Sequence, residues 1–187
     1  MYLQSISNKM DYDALKNHII KYGNHIEENG GYKEIDAVIE MNPLDVIPLL
    51  NLFCSENNYS VSDLISKIDK VIRGEEDFNE IPESDYAVKD YTKKVVAFLR
   101  YIEDNEFKYR TNRQFVYHME EESCFHSFQF FPYKKQLIIH FRSCDLIHKF
   151  IPDVLLLLLL CNTYNVDIVK FTMVFGSLHI YDKDVKI

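Results

Sequence analysis

Helical and strand periods alternate along the first third of the chain. Leu15, Ile19 and Ile20 recur at helical spacing behind Asp11, a capping residue type, and Gly23 ends or interrupts the segment. Tyr32–Met41 instead alternates at Ile35, Ala37 and Ile39, the period of a half-buried strand, with a turn predicted at Gly30-Gly31 just before it. Pro43 to Cys54 is an apolar stretch broken by Pro48. Ser60 or Ser62 caps a predicted helix carrying Leu64, Ile65, Ile68, Val71 and Ile72, and Gly74 terminates it. Glu75 to Ser84 is acidic, contains a proline and reads as a loop. Tyr91, Val95, Phe98, Leu99 and Ile102 then mark an amphipathic helix.

From Arg113 the pattern changes to strands. Arg113–Met119, Cys124–Phe131 and Gln136–Phe141 are predicted strands, the last two joined tightly through Pro132–Lys135. Phe150 to Tyr164 is apolar nearly all round, which predicts a helix in the middle of the fold. Ile168–Phe175 and Leu178–Tyr181 are two further short strands. Helices segregated around a mixed sheet make the class α+β. No internal repeat and no linker divides the chain, so residues 1–187 are read as a single domain.

Composition narrows the function. The 187 residues are 47% hydrophobic and 14% aromatic, enough for a sizeable core and against disorder. A net charge of −8 argues against a broad nucleic-acid-binding face, while leaving room for a local anion pocket. The four cysteines Cys54, Cys124, Cys144 and Cys161 form no C-x-x-C pair and are read as reduced thiols of a cytoplasmic protein. The N-terminus has no apolar leader segment, and the run Val154 to Cys161 is far shorter than the ~20 residues of a membrane span.

Common nucleotide-binding and hydrolase signatures are missing: there is no G-x-G-x-x-G, P-loop, H-E-x-x-H or G-x-S-x-G. Cys124 and His126, two apart on a predicted strand, are expected to face the same side. With His118, His140, Cys144 and His148 they make a metal cluster conceivable, but no pair has standard zinc spacing, and no metal is assigned. Arg142-Ser143-Cys144-Asp145 leaves a strand end, where an arginine fork and a hydroxyl can hold a phosphate or simply make a surface ion pair. His179 and Tyr181 share a face and can hydrogen-bond a sugar hydroxyl, or meet solvent as an edge-strand pair.

Taken in order, these segments resemble the thymidylate synthase family, with the deoxycytidylate hydroxymethylase branch the nearest. Cys124 to Phe130 (CFHSFQF) is similar to the family's nucleophilic Cys followed by Gln and an aromatic. Arg142 to Asp145 (RSCD) matches R-S-x-D, and Gly176 to Tyr181 (GSLHIY) resembles G-[DS]-x-H-x-Y. Asn112-Arg113-Gln-Phe-Val resembles R-R-x-[IV]-V after a helix at Asp90 to Asp104, and Asn29 to Met41 resembles the first strand. The likeness runs from about Asp85 to Asp184.

The resemblance implies a mixed sheet covered by helices, with one face free for packing in a homodimer. It implies that Cys124 adds to C6 of a pyrimidine, making C5 nucleophilic. Arg142 and Ser143 would hold the 5′-phosphate of a pyrimidine nucleoside monophosphate, Arg113 the phosphate in the neighbouring subunit, and His179 and Tyr181 the 3′-hydroxyl. Asp145 would lie near the folate, 5,10-methylenetetrahydrofolate being the implied donor. Glu80 is the nearest match to the general acid/base, with Glu83 the alternative. Asp153 lies eleven residues after Arg142, where synthases have Asn and hydroxymethylases Asp. A carboxylate accepts from the 4-amino group of cytosine, or shares a proton with N3, and repels O4 of uracil. Asp153 is equally placed to cap the apolar helix after Pro152.

These implications favour hydroxymethylation of (d)CMP. Two other functions stay open. One is methylation of dUMP. The other is a non-catalytic homologue that binds nucleotide or acts as a dimeric interaction protein. The second is suggested by Ser123 and Phe125 around the cysteine, by the lack of Trp, and by a chain that ends six residues after Tyr181, short of the family's C-terminal tail.

Overall fold

The computed structural model describes residues 2–5, 9–73, 88–105, 115–118 and 124–185. In chain order the elements are β1 (Tyr2–Ser5), α1 (Lys9–Tyr22), β2 (Asn24–Ile26), β3 (Tyr32–Met41), α2 (Val46–Glu56), α3 (Val61–Ile72) and α4 (Val88–Asn105). There follow β4 (Val116–His118), β5 (Phe125–Phe131), β6 (Gln136–Phe141), β7 (Cys144–Asp145), α5 (Phe150–Thr163) and β8 (Lys170–Tyr181). The strands form one eight-stranded mixed sheet in the order β1-β3-β8-β6-β5-β4, with β2 beside β3 and β7 beside β8. The mixed helix-and-sheet class is as expected. None of the helices among the described residues is long and apolar enough to cross a membrane.

Alternation sorts the sheet into two faces. Ala37, Ile39 and Met41 of β3, Leu137, Ile139 and Phe141 of β6, and Phe171, Met173 and Phe175 of β8 are buried in one core with the helices. Removing a large side chain of this kind from water contributes about 1.5–3 kcal/mol. The alternate residues behave differently. Val38, Ile138 and Val174 are half-buried, and Asp36, His140 and Gly176 are exposed. This second face is the open one.

The helices follow from the sequence with two revisions. Leu15 and Ile19 point into the core from α1, which ends where Gly23 N–H bonds Ile19 O at 2.8 Å. The helix starts ahead of Asp11, which therefore lies in its first turn rather than at its cap. Pro48 does not break the apolar stretch. It is the third residue of α2, where a missing N–H costs nothing because the first-turn donors have no intrahelical acceptor. Ser60 caps α3, its hydroxyl accepting from Asp63 N–H at 3.4 Å. In α5, Phe150, Val154, Leu157, Leu160 and Cys161 are all buried, so this helix has little solvent side.

Two strands were not anticipated: β1, parallel to β3 at the sheet edge, and the short antiparallel β2. The final pair of predicted strands is one twelve-residue strand, β8. Gly176 does not separate them; it sits in a bulge. Ile35 pairs with Leu178 and Ala37 with Phe175, so Gly176 and Ser177 oppose Asp36 alone. A Cβ on Gly176 would lie 3.1 Å from Arg142 O, so glycine admits the neighbouring chain at this point.

Candidate functional site

The site forms where β5, β6, β7 and the end of β8 converge. Arg142 N–H bonds Cys124 O at 2.7 Å, carrying the β5–β6 ladder past its last formal pair. β7 then runs parallel to β8, with Cys144 opposite Leu178 and Asp145 opposite His179, and Leu146 N–H bonds His179 O at 2.9 Å. These backbone pairings bring Cys124, the Arg142–Asp145 segment and the Gly176–Tyr181 segment side by side.

Cys124 is half-buried, whereas Cys54, Cys144 and Cys161 are buried. The Ser143 hydroxyl points at its sulfur, Oγ to Sγ 3.7 Å. Burial pushes the other thiols up, Cys161 to about 12 and Cys144 well above the usual range, so neither ionises near neutrality.

Asp145 is buried, and its Oδ1 accepts from Ile147 N–H at 2.9 Å and His148 N–H at 3.2 Å. Burial raises its carboxyl, with the His148 charge and these two donors opposing. His148 Nε2 lies 3.0 Å from Asp184 Oδ2, an ion-pair distance without the angle of a hydrogen bond.

His179 sits in an aromatic trio, 5.1 Å from Tyr181 and 5.3 Å from Tyr32 between ring centroids. Its Nδ1 is 3.4 Å from Ser177 Oγ, and Ser177 donates to Glu34. Burial lowers the His179 pKa, opposed chiefly by the negative charge of Asp145. Burial raises the Tyr181 hydroxyl, and Asp145 adds to the effect.

Asp153 is 5% exposed in the first turn of α5. Its own N–H bonds Lys149 O at 2.9 Å, so it lies inside the helix and does not cap it. Its Oδ2 is sealed from solvent and has no hydrogen-bond partner among the described residues. Burial raises the carboxyl to about 7, with Lys149 opposing and Asp145 reinforcing. This acid exchanges its proton near neutral pH within the electrostatic reach of Asp145 and Cys144.

Arg142 projects elsewhere. It lines a cavity of about 490 Å³ with Asp36, His126, His140, Val174 and Gly176, toward the open face. Cys124 is not among the residues that line this cavity. The ladder slips between Phe125 and Ser127, and His126 is the extra residue. The histidine–cysteine set splits as well. His118, His126 and His140 gather on the strands, Cys144 is buried, and His148 joins Asp145 and Asp184, whose ligand atoms lie within 4.8 Å of one another. Glu80, Glu83 and Arg113 lie outside the described residues.

Sequence reasoning missed Tyr32, Glu34 and Ser177. The alternation of β3 was visible, but no local signal says that its first half lies against His179 and Tyr181. His126 and His140 were noticed only as possible metal ligands, not as neighbours of Arg142. No family model matches the chain, and no curated protein matches it significantly.

Proposed function

We propose that this chain is a cysteine-dependent transferase that adds a one-carbon unit to C5 of a pyrimidine nucleotide, hydroxymethylating (deoxy)cytidylate. The observation that carries the reading is the half-buried Cys124 with the Ser143 hydroxyl on its sulfur, beside the β7–β8 pairing that joins Asp145 to His179. Cys124, the Arg142–Asp145 segment and the Gly176–Tyr181 segment, which carry part of that resemblance to the thymidylate synthase family, are joined by backbone pairings, which supports the reading.

In this reading the Cys124 thiolate forms a bond to C6, and the C5–C6 electron pair moves to make C5 nucleophilic. Arg142 binds the 5′-phosphate, and His179 and Tyr181 bind the 3′-hydroxyl, with Tyr32 and the Ser177–Glu34 pair fixing their orientation. Asp153 is the residue assigned to read the base, its Oδ2 having no hydrogen-bond partner among the described residues. Its burial keeps it able to hold or release a proton near neutrality, which suits an amino-bearing ring with an unprotonated N3. Asp145 is the residue that would hold the folate. Its Oδ1 is already fixed by two backbone donors, and a buried, immobilised carboxyl suits the polar edge of a pterin. When bound, methylenetetrahydrofolate supplies the one-carbon unit.

The test is exchange of the C5 hydrogen of dCMP and dUMP with solvent deuterium. The wild type is expected to exchange dCMP, and Cys124→Ser to lose exchange while remaining folded. Absence of exchange from either nucleotide, with or without tetrahydrofolate, would sink the enzymatic reading and favour a non-catalytic nucleotide-binding protein.

A further inference from the structure

We propose that His126 and His140, together with Arg142, form a binding site for a phosphate dianion on the open face of the sheet, with His118 at its rim. The proposal rests on the reading above only for the ester's identity as a nucleotide.

The cavity exists because irregularities in β5 and β8, on either side of β6, fall at one level. On β5 the slip leaves His126 unpaired between Phe125 and Ser127. On β8 the bulge at Gly176 and Ser177 faces Asp36 of β3. Arg142 follows β6 at the same height, its carbonyl 3.1 Å from where a Gly176 Cβ would stand. His118 and His140 flank the same residue, Ser127, from β4 and β6. The rings of His118 and His126 lie 6.3 Å apart.

The charges in this cavity explain its ligand. Arg142 and Asp36 cancel, so the lining is neutral while the imidazoles are neutral. Each protonated histidine then adds one positive charge. β8 contributes Val174, Phe175 and Gly176, which do not titrate, so Asp36, Arg142, His126 and His140 are the charged or titratable lining groups among the described residues, with His118 beside His126. Burial first, then His126 and His118, hold the His140 ring below the usual range. A dianion entering the cavity turns that mutual repulsion into attraction, so binding takes up protons. The fixed charge of Arg142 disfavours a metal cation on the same imidazoles. Arg142 supplies a pH-independent fork, and each imidazole adds a charge when protonated.

Inorganic sulfate is the probe, since it stays a dianion while a phosphate ester changes charge near pH 6. Calorimetric titration of the full chain should give tighter sulfate binding at pH 5.5 than at pH 7.5. The expected gain is roughly fivefold for each histidine whose pKa rises by about one unit on binding. The His126→Gln/His140→Gln double variant should flatten this dependence, and Arg142→Gln should weaken binding at both pH values. Independently of any variant, the ring resonances of His126 and His140 in the wild type should titrate at higher pH when sulfate is present. Unchanged ring titrations, equal affinity at the two pH values, or preferential uptake of Ni²⁺ through the same histidines would overturn the site. Exchange at C5 of dCMP separates the two proposals. Exchange with pH-independent sulfate binding retains the enzyme and removes the histidine site. Proton-linked sulfate binding without exchange does the reverse.

Discussion

Replacing Asp153 by asparagine tests the cost of a buried acid. The carboxyl is 5% exposed, and burial carries it from the ordinary 3.8 to about 7. A raised carboxyl means that the folded protein holds a proton which the unfolded chain has released. Between about pH 4 and pH 7 the native state therefore binds more protons, and stability falls as pH rises. The full gap is about three pH units, which at about 1.36 kcal/mol per unit costs about 4 kcal/mol above pH 7. At pH 5 less than half of that cost is present, and it fades further below pH 4. Asparagine keeps the shape and stays neutral. Relative to wild type, Asp153→Asn should therefore gain about 2–3 kcal/mol between pH 5 and pH 8, because all other titrations cancel in the difference. For a chain of this size the gain corresponds to about 5–10 °C in Tm. Thermal melts of both proteins at the two pH values measure it. A difference that is constant, or that shrinks as pH rises, would refute the reasoning, because the native state would then be holding the charged carboxylate comfortably. Under the proposed function the same variant should also move C5 exchange from dCMP toward dUMP, since an amide can serve O4 and N3–H where a carboxylate cannot.

Three further outcomes follow from the packing. A thiol reagent should modify one cysteine quickly in the native protein, Cys124, and the buried Cys54, Cys144 and Cys161 only after denaturation; Cys124→Ser should remove the fast phase. Tyr12→Phe deletes the buried hydroxyl that donates to Leu146 O at 2.8 Å and leaves that carbonyl without this donor, so urea unfolding should show a loss of about 1–3 kcal/mol. Gly31→Ala places a Cβ at φ +78° and 2.2 Å from Asp182 Oδ2, displacing Asp182 from its 2.9 Å contact with His25, and should lower stability by about 1–2 kcal/mol in the same assay.

Periodicity was a good guide where burial is one-sided. β3 was legible residue for residue because Ala37 and Ile39 alternate with more exposed neighbours. The extent of α5 was legible for the opposite reason, a run apolar on every side and too long for a strand. What failed were the breakers. Pro48 and Gly176 have ordinary local meanings, a break and an end. Their actual roles depend on where they sit, one in a first turn and the other against the Arg142 carbonyl. β1 and β2 lacked a periodic signal because they are short edge strands whose pairing comes from β3. The candidate site was legible as motifs but not as an arrangement. Nothing within GSLHIY indicates that Tyr32 and Glu34 lie beside it, since strand partners are chosen by the whole sheet.

β5 and the Arg142-Ser143 pair show why the arrangement could not be read from spacing. The slip between Phe125 and Ser127 leaves His126 as an extra residue on β5, which no spacing rule signals. The same level of the sheet divides Arg142 from Ser143. Ser143 turns its hydroxyl to the Cys124 sulfur, while Arg142 lines the cavity with His126 and His140. Adjacent residues thus serve a thiol and an anion pocket. A pyrimidine nucleotide carries a base and a phosphate at opposite ends and would need both. If the row of irregularities creates this division, restoring regular alternation should harm both functions together. Deleting His126 removes the extra residue of β5 without touching Cys124 or Arg142. The deletion variant should lose C5 exchange and proton-linked sulfate binding in one step, whereas His126→Gln should lose only part of the second. Retention of exchange by a folded deletion variant would show that Cys124 is positioned without the slip.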